Sequence, residues 1–237
     1  MKTLLTLGIA ALLALTGAAY AYPTLYGATG TGLQPDATVA PGIQVAADFY
    51  NTDDDFGSST IPVRVLYGAG QSFEIGAGYT FVTDANYWNV NAKYATPLAL
   101  AGAKLAIGAQ YFDLTDLSGT ITQLYLVGDV PLGAMAKVNL GVNWTKVDAG
   151  ATDTDAFRFF AGINATLADK LGLVADVQTR NKTLESDMLY SVAVRYPFTP
   201  SLSGQIGYTN ALPIIPTAGT SKGNLFVGLN YGFDMTK

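Results

Sequence analysis

The sequence contains no histidine and no cysteine. Without cysteine there is no disulfide, no thiolate nucleophile and no thiol to carry a lipid anchor. Without histidine the chain lacks the side chain that most often moves protons near neutral pH. Ser58, Ser59, Ser118, Ser186 and Ser221 fall in predicted loops without a convincing partner, so no catalytic site is expected. Charge is also scarce: 13% of residues are Asp, Glu, Lys or Arg, against roughly 25% in a soluble domain. Yet no internal apolar run approaches the roughly 20 residues of a membrane-spanning helix. The net charge of −5 argues against a nucleic-acid partner, which would select a basic surface. No nicotinamide, flavin, haem or zinc motif is present, and neither cofactor nor metal is expected. The Gly-Ala-Thr-Gly-Thr-Gly run at 27–32 lacks the Lys-Ser/Thr ending and the following helix of a phosphate loop.

Residues 1–21 read as a secretory signal. Lys2 is the basic start, Leu4 to Leu15 the apolar stretch, and Ala19-Tyr20-Ala21 the cleavage site. Residues 22–37 are rich in Gly, Thr and Pro and form an irregular lead-in, expected either to tuck inside the rest of the fold or to lie below it. From residue 38 to 237 the pattern changes to short segments of alternating polarity. Twelve strands are predicted, at roughly 40–50, 60–68, 72–83, 87–96, 102–113, 120–130, 135–146, 156–166, 171–180, 187–198, 202–210 and 223–233. The third puts Phe73, Ile75, Ala77, Tyr79 and Phe81 on one face, and Glu74, Gly76, Gly78 and Thr80 on the other. The sixth is ambiguous, because Leu124-Tyr125-Leu126-Val127 is apolar on both faces. Pro62 interrupts the second, where a bulge is expected because proline donates nothing to a ladder.

Connections alternate between compact and longer. Gly68–Gln71, Pro97–Ala101, Pro131–Ala134, Ala168–Lys170 and Thr199–Ser201 are compact, while Thr52–Ser58, Val147–Asp155, Arg180–Ser186 and Ala211–Lys222 are longer. Eleven of the 18 acids, including Asp53, Asp54, Asp55, Asp153 and Asp155, fall in predicted loops. Aromatics gather at both ends of the strands. Phe49, Phe81, Trp88, Tyr111, Trp144, Phe157, Tyr190 and Tyr208 lie near the long loops, and Tyr67, Phe73, Tyr94, Tyr196, Phe198, Tyr231 and Phe233 near the short turns. Such girdles suit a membrane, where an amphipathic ring prefers the headgroup level. With no helix and no second sheet to cover the apolar faces, these segments predict an all-β fold: a closed antiparallel transmembrane β-barrel of about 12 strands.

The last strand, Asn224–Phe233, carries a further pattern. Gly228 is followed three and five positions later by Tyr231 and Phe233. This resembles the C-terminal insertion signal of bacterial outer-membrane β-barrels, although Phe226 stands where that signal has a polar residue and the chain continues to Lys237. The resemblance extends over most of the chain after residue 21. It implies residence in the outer membrane, outer-membrane lipid as a partner, and contact with the barrel-assembly machinery through Gly228, Tyr231 and Phe233.

Alternation points a charged set into the lumen: Arg64, Lys93, Lys104, Lys137, Arg158 and Arg195, against Asp48, Glu74, Asp129 and Asp176. Rings of charge set pore selectivity, so this wall predicts a porin-like channel for small polar or anionic solutes. The competing reading is a non-conducting structural or surface-interaction barrel. Inward Phe112, Tyr125, Phe160 and Phe226 argue for filling, and inward Gly and Ala for open space. Lumens of about eight strands are filled and those of 16–18 are open, so strand count leaves both readings standing.

Overall fold

The computed structural model describes residues 22–51, 59–82, 86–100, 102–150, 153–167, 170–184, 187–211 and 219–233. The expected signal segment 1–21, the acids Asp53–Asp55 and the last four residues lie outside them. Twelve antiparallel strands follow one another around a closed barrel. They are β1 (Gly42–Asn51), β2 (Thr60–Ala69), β3 (Phe73–Val82), β4 (Tyr87–Leu100), β5 (Ala103–Leu114), β6 (Gly119–Leu132), β7 (Ala136–Asp148), β8 (Asp153–Leu167), β9 (Leu171–Gln178), β10 (Leu189–Pro197), β11 (Leu202–Ala211) and β12 (Gly219–Phe233). Closure is made by β12 against β1, from Ile43 opposite Phe233 to Asn51 opposite Leu225. A closed ladder leaves no strand edge unpaired, which is what a hydrocarbon surrounding demands.

The alternation in β12 shows how each strand is read. Leu225, Val227, Leu229, Tyr231 and Phe233 are exposed on the outside, while Asn224, Phe226 and Asn230 are buried inside. The ambiguous sixth strand resolves the same way. Leu124 and Leu126 face out, and Tyr125 and Val127 face in. Aromatic side chains encircle both ends of the outer surface. Tyr67 and Phe233 flank Ile43 in register, and Phe73 pairs with Tyr94 at the short-turn end. Trp144 pairs with Phe157 at the loop end.

Strand bounds run past the expected ones in β4, β6, β8 and β12, because a ladder continues beyond the segment that alternates cleanly. The bulge expected at Pro62 is absent. Pro62 sits opposite Thr80 in an unbroken β2–β3 register, and its missing N–H falls where the β1–β2 ladder skips from Ala47–Val63 to Tyr50–Thr60. Register shifts occur instead between Ala95 and Ala99 in β4 and between Thr209 and Ala211 in β11. Gly102 and Gly133 close two of the compact turns at φ +83° and +71°, a conformation that L side chains avoid.

The lumen is not empty. Residues 22–41 run inside the barrel, held in a compact shape by short bridges of Pro23 with Thr29 and Gly30 with Pro35. Tyr22 and Ala28 are fully enclosed.

Candidate functional site: the occupied lumen

The N-terminal segment reaches the loop end of the barrel with its apolar residues leading. Leu25, Tyr26 and Leu33 pack against Tyr50, Tyr87, Phe112, Ile121, Leu189 and Phe226 of the wall. Tyr26 meets Phe112 edge-on at 6.0 Å, and Tyr50 stacks on Phe226 at 4.9 Å. Nearer the short turns Ala37 joins Tyr125, Val127 and Phe160. The inward aromatics therefore grip the segment at two levels.

Between those levels the contacts are polar. Arg64 pairs with Asp48 and donates to the Thr24 carbonyl at 2.7 Å. Asp48 also accepts from the Tyr22 hydroxyl at 3.1 Å and from Gln205 at 3.0 Å. Arg195 donates to the carbonyls of Gly30 and Thr31 at 3.0 and 2.7 Å, and its guanidinium lies 4.8 Å from the centre of the Tyr22 ring. Asp176 accepts from the backbone N–H groups of Gly32 and Leu33 at 2.7 and 2.9 Å. Glu74 ties two parts of the segment together: it accepts from the Thr29 N–H, the Thr29 hydroxyl and the Ala40 N–H. Lys93 pairs with Glu74 at 3.2 Å and donates to the Thr29 carbonyl at 3.0 Å.

At the short-turn mouth Lys137 bridges Asp36 of the segment and Asp129 of β6, at 2.6 and 2.8 Å, and also donates to the Thr38 hydroxyl. Asp129 accepts from the Ala37 N–H at 3.0 Å. Burial alone would raise the carboxyl pKa of Asp36, but the Lys137 charge and hydrogen bond, with help from Lys93, hold it below the usual range. A cavity of 270 Å³ opens beside this latch, lined in part by Thr38, Lys137, Asn164 and Val174.

All ten charged residues expected on the lumen wall thus lie on the inward face of their strands, and nine of them are buried or half-buried. Arg158 is fully buried on β8, opposite Asn143 in register. The tenth, Lys104, is exposed near the β4–β5 turn, across the ladder from Asp129. Inside, Arg64, Lys93, Lys137, Arg158 and Arg195 are matched in number by Asp48, Glu74, Asp129, Asp176 and the segment's own Asp36. The cationic excess inferred from the strands is therefore cancelled in the occupied lumen. What strand reading missed is the segment's share of the site. Asp36 and Tyr22 lie in an irregular stretch without period, and its glycines and threonines were the only sign that a backbone had to pass close to a wall. Gly32 is such a place, since a Cβ there would strike the Ser191 side chain.

A closed ladder, an exposed apolar band between two aromatic girdles and a polar interior define a bacterial outer-membrane β-barrel. Solved structures of the same architecture support that class. A KdgM porin superposes with a TM-score of 0.61 at 11% identity, covering 80% of this chain and 99% of its own. A NanC porin gives 0.62 at 11% identity, with 81% and 100% covered. Outer membrane phospholipase A from Escherichia coli gives 0.56 at 12% identity, with 82% and 94% covered. No protein-family model matches the sequence, and no curated protein matches it significantly. At these identities the likeness is one of fold, and the fold by itself hosts more than one activity.

Proposed function

We propose that this protein is a porin-like channel of the outer membrane for small polar solutes, shut in the present conformation by its own N-terminal segment. One observation carries the reading: the polar, charged wall is completed by a single terminal segment. A barrel built to be solid fills its lumen with its own inward side chains. Here the filling is a stretch of chain that precedes β1, tethered only at that junction once the expected signal segment 1–21 is cleaved, and it occupies the path a solute would take. The wall behind it bears both acids and cations, with the cations in slight excess once Asp36 leaves with the segment, which suits small polar solutes. The structural likeness to porins supports the same reading, and it assigns no reaction to the chain.

The test is planar-bilayer conductance of the refolded chain from residue 22, beside a variant that begins at residue 42. Conductance that is rare in the first and steady in the second is the expected result. A truncated barrel that folds and conducts nothing would sink the channel reading and leave a structural barrel.

A further inference from the structure

The wall reads the segment's backbone more than its side chains. Arg64, Asn89, Lys93 and Arg195 donate to the main-chain carbonyls of Thr24, Tyr26, Thr29, Gly30 and Thr31. Glu74, Asp129 and Asp176 accept from the main-chain N–H groups of Thr29, Gly32, Leu33, Ala37 and Ala40. Along the segment the bound carbonyls run from Thr24 to Thr31 and the bound N–H groups from Thr29 to Ala40, and every wall group among these is buried. A wall made for anions has no use for Glu74, Asp129 and Asp176 on the same path. A peptide backbone presents carbonyls and N–H groups together, and only a wall with both kinds of partner satisfies it. Recognition of this kind draws affinity from the main chain and tolerates varied side chains, as strand-addition complexes do.

We infer that the lumen is a binding site for the main chain of a peptide, that residues 22–41 are its tethered occupant, and that short uncharged peptides are the solutes the open lumen accepts. The choice of solute rests on the channel reading; the binding site and its occupant do not. The tether makes the occupant's local concentration of millimolar order, so a free peptide competes poorly until the segment is removed.

The experiment uses the barrel of residues 42–237 and a synthetic peptide of residues 22–41 with a fluorophore at its C-terminal end. Anisotropy is expected to show saturable binding. A peptide with Gln34→Ala, which loses only the neutral side-chain bond to Gln178, is expected to bind within about fivefold, since a neutral hydrogen bond is worth about 1 kcal/mol. A peptide N-methylated at Gly32 and Leu33 is expected to bind at least about tenfold more weakly, because the buried Asp176 carboxylate loses both donors. No saturable binding, or equal losses for the two modified peptides, overturns the inference. If residues 42–237 do not refold, a protease site inserted between Ala40 and Pro41 is cut after refolding of the longer chain, and exchange with labelled peptide is read instead. Conductance of the same barrel separates the two readings. Peptide binding without conductance defeats the channel but keeps the site; conductance without peptide binding does the reverse. In a conducting barrel, tetrathreonine is expected to interrupt the current and an uncharged trisaccharide to leave it unchanged. The opposite pattern would reject peptides as the solute class.

Discussion

At the scale of single residues, the strongest dependence falls on buried charges that hold the segment. Arg195 is 1% exposed and satisfies two carbonyls. Arg195→Gln is expected to destabilise the seated segment by about 2 kcal/mol, the worth of hydrogen bonds made by a charged donor. Faster hydrogen exchange at the Gly32 and Leu33 amides is the readout. Gly32→Leu acts from the other side, since its side chain has no space beside Ser191; the same amides should lose protection while the barrel ladder keeps it. Asp36 makes the mouth sensitive to acid. Its carboxyl titrates below the usual range in the seated state, so the stabilisation is complete above the ordinary carboxylate value of about 3.9 and is lost as pH falls through the depressed value. Charged groups on three neighbouring strands bear on it: Lys93 of β4, Asp129 of β6 and Lys137 of β7. Conductance measured against pH should therefore rise on acidification. In Asp36→Asn the part of that rise that stems from this carboxyl should disappear, with some opening already at neutral pH.

At the scale of elements, β12 and the N-terminal segment differ in how much of them could be read in advance. Every residue of β12 from Asn224 to Phe233 obeys a period of two, because lipid on one side and lumen on the other judge each position separately. The segment of residues 22–41 has no such judge. Its place follows from partners far along the chain, such as Gly32 with Asp176, 144 residues apart. Between the two lies Pro62, where a local rule predicted a bulge and the neighbouring ladder simply skipped the position. The lumenal charges were legible as inward-facing, but their partners were not.

For the whole molecule, stability depends on the match between the outer band and hydrocarbon. Leu126, near the middle of β6, and Leu132, at its short-turn end, both face outward and are 48% and 53% exposed. Leu126→Lys is expected to cost about 2–4 kcal/mol and Leu132→Lys about 0–1 kcal/mol, following the depth dependence of cationic side chains on a barrel surface. Urea unfolding in lipid vesicles measures both. Equal costs at the two positions would contradict a barrel that spans the bilayer with its short turns at one interface.

The sequence by itself determined the barrel: its strand number, the face each residue takes, the aromatic girdles, and the parity of short turns and long loops. Those features are imposed locally and repeat every second residue, so they are written in side-chain type. Only the tertiary structure decided what fills the lumen. The wall holds residues 22–41 mainly through carbonyl and N–H groups that nearly every residue possesses, and bonds of that kind leave almost no trace in the order of amino acids.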